Sequence, residues 1–283
     1  MISTKLRSLL TVLALFAAAS ANAQSGKRIV EQSDFDVKLG FIHVGSGQWT
    51  VLAYDTVDNH QTFHAMLTIN GGFGPAKVDD HFESWGDATS WRVSRDVFSR
   101  RFVENHHELR YQKNVRFEIS PERGEWTRND GLTQRIPAEK PLDELTMLVF
   151  IRSLPLRVGD TYTIPRYFKA DGNPVVLRVL RRETVTVPAG TFQTVVVQPI
   201  IKTSGLFGDG GEAEVYLTDD RFHSLVQLKS KVARIGSLTL QLKRYHPPSV
   251  TDDPRGSESA EMPAFGFDPV AEVSPLPAKR PLQ

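Results

Sequence analysis

His60 and His64 in the stretch HQTFH have the four-residue separation that, on a helix, would bring two imidazoles to one zinc ion with a glutamate between them as base. Position 61 is Gln, and the run Thr62 to Ile69 predicts a strand, on which the two rings share one face as exposed histidines. Asp79, Asp80, His81 and Glu83 form the densest group able to ligate a cation or exchange a proton. They lack the regular alternation and central glycine of a calcium loop, and we read them as a solvated acidic turn. His106 and His107 fall on opposite faces of a strand and cannot serve one site there. The chain has no cysteine, and no serine sits in a Gly-x-Ser-x-Gly elbow; Gly45-Ser46-Gly47 is shorter and loosens a strand. Gly205 to Gly211 is not followed by the Lys-Ser/Thr of a phosphate loop and leads into a strand. It predicts a hairpin loop with Leu206 and Phe207 exposed at its tip. Asp219-Asp220 predicts a turn. These patterns assign no catalytic residue, no metal and no cofactor.

Arg152 is harder to place. A charge on an otherwise apolar helix is costly to bury unless paired, so it lies either at a rim or against an acid such as Glu183, with ligand recognition as the alternative.

That helix is Pro141 to Leu154, with Asp143 as N-cap, Glu144 at the positive end of the dipole, and Pro155 as the stop. Met147, Phe150 and Ile151 make it apolar almost all round, so it must be covered on most sides. The segments before and after it alternate with period two or are short apolar runs, separated by Asn70-Gly71-Gly72, Asp171-Gly172-Asn173-Pro174 and Pro188-Ala189-Gly190. Gly74 to Ser90 is read as a surface loop anchored by Phe82 and Trp85. Trp91–Ser94, Ser99–Glu104, Glu108–Gln112 and Val115–Ser120 read as short strands, and Pro121 to Pro137 as a polar stretch around an isolated Trp126. Val175 to Val187 reads as a long strand with a bulge where Arg181 and Glu183 interrupt it. The fold class expected is mainly β: a curved antiparallel sheet or partly open β-barrel or clam, with one helix packed against its concave face.

Lys5 and Arg7 precede the apolar run Leu9 to Ala19, and Ala21-Asn22-Ala23 fits a signal-peptidase site, so residues 1–23 are expected to be a signal peptide. Cleavage would leave 260 residues with a formal charge of about −1. A single β-rich domain is expected over 24–246, and a disordered tail rich in proline over 247–283. Acids and bases are interleaved, 33 against 34 over the whole chain, which argues against a nucleic-acid partner. No later stretch approaches a membrane span, and no cysteine follows the cleavage site to take a lipid. The expected location is periplasmic or secreted.

Several segments in order carry a family resemblance: Phe41-Ile42-His43-Val44 before a glycine; Leu142-Asp143-Glu144-Leu145 through Phe150-Ile151-Arg152; Leu156-Arg157-Val158-Gly159; Val187-Pro188-Ala189-Gly190-Thr191-Phe192; Val215-Tyr216-Leu217-Thr218-Asp219-Asp220; and Ile235-Gly236-Ser237-Leu238. The chain resembles the DUF3108 family of exported bacterial proteins over roughly Phe35 to Tyr245, with Tyr216 where the family is expected to have Trp. The resemblance implies an all-β envelope protein, curved or barrel-like, with a helix on its concave face, and it implies no activity. The function expected is non-enzymatic: binding of a lipid or other amphiphile in the sheet concavity, with Trp85, Trp91, Phe150, Arg152 and Phe207 as candidate contacts. The alternative is a structural or interaction module for another envelope protein, and a hydrolase using Asp79, Asp80 or His81 is a third reading.

Overall fold

Period-two alternation accounts for most of the molecule. The computed structural model describes residues 28–73, 76–87, 96–108, 111–203, 206–207, 213–232 and 236–246. The expected signal peptide and tail, and Trp91, lie outside these residues. Among the described residues fourteen strands form one antiparallel sheet: β1 (Arg28–Leu39), β2 (Ile42–Val57), β3 (His60–Phe73), β4 (Ala76–Asp87), β5 (Ser99–Glu108), β6 (Tyr111–Ser120), β7 (Glu125–Arg128), β8 (Thr133–Arg135), β9 (Thr161–Ile164), β10 (Val175–Val187), β11 (Gly190–Ile200), β12 (Glu214–Thr218), β13 (Leu225–Val232) and β14 (Gly236–His246). Their spatial order is β8-β7-β6-β5-β4-β3-β2-β1-β14-β13-β12-β11-β10-β9. Two meanders therefore join where the first strand pairs with the last, and β8 and β9 are left as the two edges.

One face of this sheet carries the hydrophobic core. Phe35 and Val37, Trp49 and Val51, Ala65 and Leu67, and Phe102 and Phe117 line the first meander; Leu177, Val195, Val215, Leu228 and Leu240 line the second. The chain passes between the two edges through the space these residues enclose. It leaves β8, forms the helix α1 (Glu144–Ile151), and emerges to begin β9. All eight residues of α1 are buried. An isolated helix this short is marginal in water, and an apolar surface on every side leaves burial as what holds it. Just before it, Leu142 forms a parallel bridge to Tyr167: its N–H donates to the Arg166 carbonyl at 2.6 Å and its carbonyl accepts the Phe168 N–H at 2.9 Å. At β4 the close approach needs glycine, because a Cβ on Gly86 would lie 2.4 Å from Cζ of Phe63 and 3.1 Å from Cγ2 of Thr146.

The expected fold class is observed, and so is the bulge in β10, where the register with β11 shifts between Val179 and Arg181. Four local expectations are corrected. The Phe82–Trp85 stretch is a strand rather than a loop, with Phe82 facing the core, so the acidic turn proposed at Asp79 to Glu83 is strand β4. Of the four short strands expected between 91 and 120, Trp91–Ser94 lies outside the described residues, and the other three are two ten-residue strands, β5 and β6, the second of which continues through Lys113-Asn114. The polar stretch 121–137 contains β7 and β8, and Trp126 is buried, edge-on to Phe117 and Phe168. Leu206 and Phe207 are not exposed at a tip: Phe207 is only 1% accessible. At Phe82, Trp126, Leu206 and Phe207 a tertiary partner buries what local polarity suggested was exposed.

Candidate functional site

The helix N-terminus is the most heavily wired point in the interior. Asp143 is the N-cap, and its Oδ1 accepts the N–H groups of Leu145 and Thr146 at 2.8 and 2.9 Å. Its Oδ2 accepts the Ser84 hydroxyl at 2.5 Å, and its own N–H donates to Ser99 Oγ at 2.7 Å and Thr146 Oγ1 at 2.9 Å. The cap thus ties α1 to β4 and β5. Burial pushes the Asp143 carboxyl up, against the donors that favour its charged form. Replacing Asp143 by Ala is expected to lower stability by about 2 kcal/mol in chemical denaturation, whereas Asn keeps an acceptor for the helix N–H groups and loses less. Equal losses from both replacements would show that the cap does not hold the helix.

Next to the cap lies a group of ionisable side chains on the inner face of β4, β5 and β6. Glu104 is buried and bonds Lys113 Nζ at 2.6 Å and His106 Nε2 at 2.8 Å, and His106 Nδ1 meets Asp80 Oδ1 at 2.9 Å. Glu144, at the first turn of α1, accepts the Leu206 N–H at 2.5 Å and faces the Tyr167 hydroxyl at 3.5 Å. This bond carries Leu206 and Phe207 into the interior. Burial and the Glu104 charge push the Glu144 carboxyl up to about 7. Lys169 Nζ lies over the rings of Phe117 and Phe168, at 4.4 and 5.0 Å from their centroids, and burial lowers its affinity for a proton.

Burial opposes protonation of His106, but the hydrogen bonds that the protonated ring donates to Asp80 and Glu104 prevail and raise its pKa to about 9. Because the folded pKa lies above the ordinary 6.5, its contribution is full below pH 6.5 and is lost as pH rises toward 9. Glu144 acts in the same direction between about 4.5 and 7. Thermal unfolding is therefore expected at progressively lower temperature from pH 6.5 to 9. His106→Gln should flatten that slope by about 1–2 kcal/mol, solvent screening having been allowed for. An unchanged slope in the variant would remove His106 as its source.

At the other end of α1, Arg152 donates from Nη1 to Glu31 Oε2 at 2.9 Å and from Nε to the Phe222 carbonyl at 3.2 Å. Its own carbonyl is 2.9 Å from His223 Nδ1. The side chains are 7% and 3% exposed, so Arg152 is an interior structural ion pair with Glu31 on β1, not with the expected Glu183. Glu183 instead pairs with Arg181.

On the outer face, Trp85 stacks on His64 with ring centres 4.0 Å apart, donates to Asp55 Oδ2 at 2.8 Å, and lies under the Arg101 guanidinium. Glu83 bridges His64 Nε2 at 2.6 Å and His81 Nε2 at 2.8 Å, and these bonds pull its carboxyl down to about 2. His60 is apart from this group, 3.8 Å from Glu122. Among the described residues no set of three or more His, Cys, Asp or Glu could hold a metal ion.

The four candidate contacts among the described residues are thus not brought together, and Trp91 lies outside those residues. Trp85 is outside, Phe150 and Phe207 are in the core, and Arg152 is at the far end of the helix. The inner group around Glu104 and Glu144 was missed because its members come from separate elements whose inward orientation only the register reveals. A glutamate at the start of an all-apolar helix was the available signal.

Fold and site together define an open antiparallel β-clam whose interior is occupied by its own helix. A family model, "Protein of unknown function (DUF3108)", matches residues 34–243, and the chain belongs to that family. Two solved structures are similar at low identity. One is the β-barrel-like protein of domain of unknown function DUF1849 from Brucella abortus, with 13% identity, 78% of this chain and 98% of that one covered, and a TM-score of 0.47. The other, from Bacteroides fragilis, is a protein proposed to be exported with a YmcC-like fold, with 11% identity, coverage of 78% and 97%, and a TM-score of 0.28. No curated protein matches the chain. No helix among the described residues is long and apolar enough to cross a membrane.

Proposed function

We propose that this is an exported, non-enzymatic interaction module of the bacterial envelope, with 1–23 as its cleaved signal peptide, 24–246 as its one domain and 247–283 as a tail, periplasmic or secreted. The observation that carries the reading is the complete burial of α1, Phe150 and Ile151 included, in the concavity where a lipid would have to lie. Recognition then falls to the outside. Phe41, at the tip of the β1–β2 hairpin, is 93% exposed beside exposed Ile42, and the edge strand β8 is exposed at all three residues, next to exposed Leu132. Exposed apolar groups and unpaired strand edges are common elements of protein docking sites.

A photo-crosslinking residue at position 41, expressed in intact cells, is expected to give one discrete protein adduct that is absent when the probe is placed at exposed Lys243. Native mass spectrometry of the purified protein should find the unliganded mass. Acyl lipid retained through purification, together with no protein adduct, would favour the amphiphile-binding reading instead.

A further inference from the structure

Outside the interior, the chain builds a second feature: a cavity of about 350 Å³ on the outer face of β14, β1, β2 and β3. Register arranges the outward side chains of this face, all of which line the cavity except Asp36 at its margin, in two cross-strand rows. Arg244, Asp34, Gln48 and Thr68 lie opposite one another in the first, and Asp36, Ser46 and Asn70 in the second. The neighbouring Phe35 and Leu242 point to the core, so the row of outward side chains is polar. The β1–β14 register shifts between Asp34 and Phe35, leaving Lys243 as an extra residue. Lys243 and Arg244 therefore both turn outward, to Asp36 and Asp34 at 2.9 Å each. Ser46 carries a short side chain, so the middle of the face is low while the long side chains of β14 and Gln48 rise around it.

We infer that this face binds a neutral, polyhydroxylated chain, a segment of glycan. The two cations are matched by two carboxylates, which disfavours a polyanion or polycation, and the one aromatic side chain of the lining, Phe35, is fully buried, which leaves no exposed apolar group of the lining to hold an acyl chain. What remains for a ligand is hydrogen bonding. The side chains of Ser46, Thr68 and Asn70 have no hydrogen-bond partner among the described residues, and the ionised carboxylates of Asp34 and Asp36 offer further acceptor positions to hydroxyl groups. Four strands at about 4.8 Å spacing give a track roughly 14 Å across, enough for a few sugar rings. The inference stands on this face alone and is independent of the protein partner proposed above.

Saturation-transfer NMR of the full mature chain with chitotetraose and cellotetraose tests it. Transfer to at least one sugar is expected, with affinity reduced at least tenfold in Thr68→Val/Asn70→Ala and abolished in Ser46→Trp, which fills the low centre. All three positions are on the surface, and an unchanged melting temperature in both variants confirms that the fold is intact. Absence of transfer to both sugars, transfer that persists in Ser46→Trp, or displacement of the sugars by inorganic phosphate would each overturn the inference.

Discussion

Arg152→Ala is expected to lower the unfolding free energy by about 3–5 kcal/mol, read from urea denaturation, because it leaves the Glu31 carboxylate buried without its cation. The guanidinium joins three regions distant in sequence: Glu31 on β1, the end of α1, and the Phe222 carbonyl in the turn between β12 and β13. Its loss should therefore loosen the seam between the two meanders as well as the helix end. Much of the effect belongs to the orphaned charge rather than to the net value of the pair. Adding Glu31→Gln to Arg152→Met should accordingly recover a large part of what Arg152→Met alone loses, giving a coupling energy well above 1 kcal/mol in a double-mutant cycle of these two substitutions. A single-variant loss below about 1 kcal/mol would mean that water reaches the pair.

Phe150→Ala should also cost about 3–5 kcal/mol, the usual range for deleting a buried aromatic side chain. Phe150 is enclosed on the inner side of the sheet with the Arg166 guanidinium 4.9 Å from its ring centre, so the vacated space is walled partly by a fixed cation and collapses poorly. Arg166 is held in place by the carbonyls of Lys140 and Val97 at 2.8 and 2.7 Å. The variant should gain a cavity able to take a small aromatic probe such as benzene under the Arg166 guanidinium, with a raised melting temperature at saturating probe, while the wild-type chain shows no such response. A wild-type protein that responds equally would show that apolar space remains beside the helix, and would restore the amphiphile reading.

The two experiments probe opposite ends of one arrangement. A sheet left unpaired between β8 and β9 is kept curved around α1 by the Asp143 cap at one end and the Arg152 pair at the other, with the core side chains between them. Truncating either charged anchor should affect stability without altering the outer face of β1, β2, β3 and β14, so any glycan binding there should survive in the folded fraction.

Read along the chain, the residues determined the helix, its capping aspartate, most strands and the class of fold, because alternation, capping and turn chemistry are local and repeat at short spacing. They also identified Arg152 as needing a partner, since the cost of burying a charge does not depend on which acid answers it. Which acid it was could not be read: Glu31 is 121 positions away, and only the pairing of β1 with β14 beside the helix end selects it over Glu183. The same holds for Leu206 and Phe207, polar-flanked and apparently tip residues until the Glu144 carboxylate draws them inward. The interior group around Glu104, and the polar track on the outer face, exist only because strand register sets one side chain beside another across hydrogen-bonded neighbours, a relation that sequence separation does not encode.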